Sequence, residues 1–80
     1  MGPIEVIVEA ARKQEMVNIV YSKVNGETKS YSDLEPYSQR GNCLCLYDSN
    51  AGSIKYFKID GIVSAESTGN TYSPRWDVEL

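Results

Sequence analysis

Ile4, Ile7, Val8 and Ala11 recur at intervals of three and four residues, the spacing of one face of an α-helix. Pro3 suits the first turn of such a helix, because the N–H it lacks would be unpaired there. Glu5 near the start and Arg12 and Lys13 near the end match the helix dipole, while Glu9 and Lys13 stand one turn apart as an exposed ion pair. The spacing predicts a short amphipathic helix over 3–14, with an aliphatic face that must cover something.

From residue 16 the period changes to two. "MVNIVYSKV" is rich in β-branched residues and places Val17, Ile19 and Tyr21 on one side. Asn25-Gly26 follows, and both residues accept the positive φ of a type I′ hairpin turn. The return strand "ETKSYSDLEPY" is polar, and Pro36, which has no N–H for a ladder, belongs at an edge or a strand end. "CLCLYD" and "SIKYFKI" are short strands joined through "SNAG"; Asp60-Gly61 breaks the second before "IVSAEST", and Gly69-Asn70 marks a last turn. Five short strands over 15–68 behind one helix predict a mainly β fold, a small, strongly bent antiparallel barrel in a single domain, 1–80. In "TYSPRWDVEL", Tyr72, Trp76, Val78 and Leu80 share one parity, so residues 70–80 are expected to dock as a C-terminal extension although Pro74 bars a central strand.

Composition narrows the chemistry more than the fold. Eight Lys and Arg against eleven Asp and Glu give a formal charge of −3, so the molecule as a whole does not attract a polyanion, and any nucleic-acid binding must be local. There is no histidine, which removes catalytic triads, histidine acid–base chemistry and Cys/His zinc sites. Cys43 and Cys45 are two soft ligands without further Cys or His to complete a metal site; two residues apart on a strand, at roughly 6.5 Å, they are poorly placed for a disulfide. They read as small strand residues, with a reactive or interchain thiol as the alternative. Asp33, Glu35, Asp48, Asp60 and Asp77 form no paired-carboxylate or calcium-loop spacing, and the glycine turns lack a phosphate-loop Lys-Ser/Thr. A non-enzymatic protein without cofactor or metal is expected. With no apolar run near the ~20 residues of a membrane span and no signal-peptide pattern, the expected setting is the cytoplasm.

The order of helix, Asn-Gly hairpin, "EPY…R", "LCLYD", "IKYFKID" and "TYSPRWDVEL" resembles the WYL domain family of prokaryotes and their phages over nearly the whole chain. Ala10, Val17, Ile19, Tyr21, Pro36, Leu44, Tyr47, Asp48, Phe57, Asp60 and Ile62 fit the family pattern. The name-giving Trp-Tyr-Leu falls on Asn42-Cys43-Leu44, the family's strand arginine on Lys55, and a second arginine on or near Ser32. The resemblance implies an SH3-like or Sm-like five-stranded barrel behind a helix, in a regulatory module. The family's arginines are associated with nucleic acid or nucleotide-like ligands, and this chain lacks part of that set.

Six residues are candidates for binding. Lys55 shares strand parity with Phe57 and Ile59, which turns a cation toward the core near the strand end. There it either offers its ammonium to an anion at the barrel mouth or snorkels to the rim. Tyr56 and Lys58 have the opposite parity and could join Tyr37 and Arg40 in an aromatic and basic surface for single-stranded nucleic acid, unless this is an ordinary solvated face. Arg75, followed by Trp76, is suited to phosphates or bases, or else pairs with an acid such as Glu66 while Trp76 packs. Two functions follow: a module binding nucleic acid or a small anionic ligand through these residues, or a protein-interaction or self-associating module that adds strands at an exposed edge.

Overall fold

In a computed structural model, which describes residues 2–80, helix α1 spans Pro3–Lys13 and is followed by β1 (Glu15–Ser22), β2 (Thr28–Arg40), β3 (Cys43–Asp48) and β4 (Ser53–Lys58). A 3-10 turn, Ile59–Gly61, leads into β5 (Ile62–Thr71). All neighbouring strands are antiparallel, in the order β4-β3-β2-β1-β5. This is the mainly β architecture, five strands behind one helix, that the periodicity predicts.

α1 begins where Glu5 Oε1 accepts the Gly2 N–H at 3.2 Å, tying down a backbone group that the helix itself leaves free. It ends at Gln14, whose φ of 56° puts the cap in the left-handed region and whose N–H donates to Ala11. The buried face is Ile7, Ala10 and Ala11, and Glu9 and Lys13 form the expected exterior pair at 3.0 Å. The core beneath joins Ile7 and Ala10 to Val17 and Ile19 of β1, Leu34 of β2, Leu44 and Leu46 of β3, Phe57 of β4 and Ile62 of β5.

Two expected turns take different forms. The β1–β2 loop turns on Val24-Asn25, with Gly26 N–H donating to Lys23 O at 2.9 Å and Gly26 at φ 88°. The Lys23 N–H closes the loop on Glu27 O at 2.7 Å, leaving three residues between the closing pair instead of the two of a type I′ turn. Only the glycine needs positive φ, while Asn25 Oδ1 accepts the Glu27 N–H. Gly69-Asn70 is not a turn but a bulge within β5, where the register slips between Ser67 opposite Val17 and Thr71 opposite Glu15. Gly69, at φ 80°, supplies the conformation a bulge needs.

The sheet curls because β2 bends twice. Between Tyr31 and Leu34 its register against β1 shifts, and Asp33 takes φ 56°, its N–H held by Asn18 Oδ1 and its C=O by the Ser49 hydroxyl. Between Pro36 and Ser38 the register against β3 shifts again, leaving Tyr37 without a partner on β3. Leu34, opposite both Val17 and Asp48, stands at the corner and is wholly buried. At the far end of β4, Gly61 passes the ring of Tyr21 so closely that a Cβ would lie 2.7 Å from Cε1 and 3.1 Å from Ser22 O. Gly61→Ala is therefore expected to destabilise the chain by about 1–3 kcal/mol in urea unfolding, because the Tyr21 ring is pinned against Phe57.

Candidate functional site

β2 carries Glu35 on the face opposite the core, across from Tyr47 of β3, and the bulge places Tyr37 beside it. Both are buried, Glu35 at 2% exposure and Tyr37 at 0%. A carboxylate removed from water is costly unless it is paired and hydrogen-bonded. Here the Tyr37 hydroxyl donates to Glu35 Oε1 at 2.7 Å, and Arg75 reaches it from the tail, Nε to Oε1 at 3.2 Å and an amino nitrogen to Oε2 at 3.4 Å. The guanidinium lies over the Tyr47 ring, 4.2 Å from its centroid. Glu35 in turn holds the Arg75 pKa above its ordinary value.

The tail follows from that pair. Tyr72 enters with its N–H on Gln14 O and its hydroxyl on Pro36 O at 2.6 Å. The Arg75 N–H donates to the Tyr37 hydroxyl at 3.0 Å, and Trp76 stacks on the Tyr37 ring at 4.3 Å while the residue as a whole stays 40% exposed. The C=O of Tyr37 accepts the Glu79 N–H at 2.7 Å, and Leu80 packs against the core. Arg75 thus pairs with Glu35 and not with Glu66, which lies on β5 opposite Asn18.

The six candidates divide into three places. Tyr37 and Arg75 meet in the slot just described, so the ring expected to offer a stacking surface lies beneath Trp76 instead. Lys55 turns to the core side opposite Leu46 and sits at the barrel mouth, its ammonium 3.9 Å from Asp48 and 5.8 Å from the Tyr31 centroid, with about a third of its side chain (32%) exposed. Asp48 also caps the β3–β4 turn by accepting the N–H groups of Asn50 and Ala51. Arg40 and Lys58 are exposed and flank Cys43 in one cross-strand row, with Tyr56 in the next row beside Cys45. Cys43 and Cys45 are free thiols on this same outer face.

β4 is an edge strand of the sheet. The Lys58 N–H points away from β3, since it donates to the Tyr21 hydroxyl at 3.1 Å. Backbone groups alternate along an antiparallel strand, so those of Tyr56 and Ile54 face the same open side. Their side chains are 58% and 46% exposed. The sequence hinted at this edge only through the parity of Tyr56 and Lys58. It gave no sign that Glu35, Tyr47 and Trp76 build a slot, because their partners lie up to 40 residues apart.

Among the described residues, no cluster of three or more His, Cys, Asp or Glu could hold a metal, and no helix is long and apolar enough to cross a membrane. No protein-family model matches the chain, and neither a curated protein nor a solved structure matches it.

Burial pushes the Tyr37 hydroxyl up to about 12, reinforced by Glu35, and raises that of Tyr72 as well. A phenol whose folded pKa is raised contributes stability that is whole below its unfolded value of about 10 and is lost as pH rises through the folded value. The thermal midpoint is therefore expected to be insensitive to these phenols up to about pH 9 and to fall above about pH 10, with late-titrating phenolate absorbance accompanying the fall. Completion of phenolate absorbance near the free-tyrosine value, with no loss of structure, would contradict this.

Proposed function

We propose that this chain is a non-catalytic, WYL-like binding module that engages an extended segment of a protein through the open edge of β4. The observation that supports this reading is that edge itself: Ile54 and Tyr56 combine outward-facing backbone groups with exposed apolar side chains, the combination that strand addition uses. The charge distribution favours it over a polyanion. Three of the eight cations are already ion-paired, Lys13 with Glu9, Lys55 with Asp48 and Arg75 with Glu35, and the net charge is −3.

A second reading, binding of single-stranded nucleic acid or a nucleotide-like anion, draws on one specific feature. Arg40, Lys58 and Tyr56 share the outer face of β2, β3 and β4, where two cations and a ring could meet phosphate and base. Under this reading Lys55 and Arg75, engaged elsewhere, contribute little.

Ile54→Pro separates the two. Its N–H faces away from β3, so proline there spares the β3–β4 ladder while blocking an added strand. Sedimentation of the wild-type chain over a range of concentrations, with protein capture on immobilised wild type and variant, is expected to show association that Ile54→Pro abolishes. A single-chain mass at every concentration, together with captured proteins identical for wild type and variant, would refute strand addition. Oligonucleotide binding that weakens with salt and is lost in Arg40→Ala with Lys58→Ala would establish the second reading.

A further inference from the structure

The slot on the outer face of β2 and β3 is built as a receptor for something it already holds. Its floor is a buried carboxylate, Glu35, oriented by the Tyr37 hydroxyl; one wall is the Tyr47 ring and another is Tyr37 itself. What fills it is a guanidinium bonded to both carboxylate oxygens and stacked on Tyr47, followed by an indole stacked on Tyr37. Planar, fork-like pairing with a carboxylate combined with stacking is chemistry that arginine provides and lysine does not. Backbone reception is present too: the Tyr37 hydroxyl accepts the Arg75 N–H, and the Tyr37 C=O, left unpaired by the bulge, accepts the Glu79 N–H.

The occupant differs in kind from its receptor. Glu35 and Tyr37 lie on the outer face of β2, outside the hydrophobic core and covered by Arg75 and Trp76, whereas Ser73 through Asp77 are exposed, contribute no strand and cross the surface as an irregular segment that follows Pro74 and bends at Arg75 and Trp76. Between Tyr72, anchored on Pro36 O, and Glu79, the segment is held by Arg75 and Trp76.

We propose that Glu35, Tyr37 and Tyr47 form a recognition slot for a protein segment presenting arginine followed by an aromatic residue at a bend, and that residues 73–80 fill it as a strap that a partner segment of this chemistry can replace. This site adjoins the β4 edge, Tyr47 standing opposite Ile54, but does not rest on strand addition there. The strap lifts without unfolding the barrel, and its own effective concentration, on the order of millimolar for a short tether, sets the threshold a partner must exceed. The chemistry of the partner is fixed by the occupant: a guanidinium for Glu35 and Tyr47, a flat ring for Tyr37, and a backbone that bends where the two meet the slot.

Two measurements test this. In native-state hydrogen exchange of the wild-type chain, the amides of Arg75 and Glu79 are expected to exchange at least about tenfold faster than the β1–β2 ladder, as a locally opening segment does. A chain carrying Arg75→Ala and Trp76→Ala, with its own strap disabled, is then titrated with a labelled peptide of residues 73–80, SPRWDVEL. Saturable binding is expected, weakened about 10- to 100-fold when the peptide's arginine is replaced by alanine, and much weaker in the wild-type chain, whose strap competes. A folded variant that binds neither peptide, or both equally, would overturn the proposal. So would a variant that does not fold, or Arg75 and Glu79 amides that exchange only with the barrel, since the tail would then be an integral part of the fold. A doubled mass of the wild-type chain with tails exchanged between copies would overturn it in favour of a second copy as the occupant.

Discussion

A carboxylate taken out of water organises one whole side of this protein. Glu35 could not lie at 2% exposure without partners, because an unpaired buried charge costs several kcal/mol, a large part of what holds a small domain together. The barrel supplies one partner, the Tyr37 hydroxyl, and the other comes from 40 residues further along the chain. Once Arg75 is committed to Glu35, Pro74 and Trp76 are fixed to either side of it, and the stacking of Trp76 on Tyr37 follows. No buried side-chain nitrogen or oxygen among the described residues lacks a partner, so the charge is fully accommodated.

The bends of β2 make that burial geometrically feasible. A straight strand of thirteen residues would present alternate side chains to each face throughout. The irregularity at Asp33 turns the strand from β1 toward β3, and the bulge at Tyr37 inserts one residue that pairs with neither neighbour across the β3 ladder. Tyr37 consequently has a ring on the outer face, free to lie beneath Trp76, and a C=O to spare, and the tail uses both. Pro36 fits between these irregularities, where it is buried and its carbonyl accepts the Tyr72 hydroxyl. A residue without an N–H is tolerated inside a five-stranded sheet because the ladder is already interrupted there.

What the sequence disclosed is what local chemistry determines. Of the face read from helical spacing, Ile7 and Ala11 are buried while Ile4 and Val8 are half-buried, and Ala10 takes a place in the core that the spacing did not assign it; Phe57 and Lys55 share a face because a strand alternates. Gly26 was legible as a site of positive φ and Gly69 as an interruption, but the type of each was not: one residue more in the first loop, and continued pairing of Thr71 with Glu15, depend on register across strands. The slot was hidden for the same reason in stronger form. Glu35 reads as a surface acid and Arg75 as either a ligand cation or the partner of an acid such as Glu66; the fold brings Arg75 within 3.2 Å of Glu35 instead, and a cation counted among those for a ligand is already engaged.

That engagement bears directly on which partners this surface can accept. Affinity for a polyanion grows with the number of phosphates that unpaired cations can neutralise, through release of counterions. Among the described residues of the outer face, Arg40 and Lys58 are the cations without an ion pair, one at the end of β2 and the other at the end of β4. Two such charges on a molecule of net charge −3 support a weak and strongly salt-dependent contact. Strand addition at β4 draws instead on backbone hydrogen bonds and the apolar contact of Ile54 and Tyr56, neither of which is opposed by the acidic remainder of the chain. Of the two cations, Lys58 lies on that edge strand, while Arg40 stands two strands away on β2.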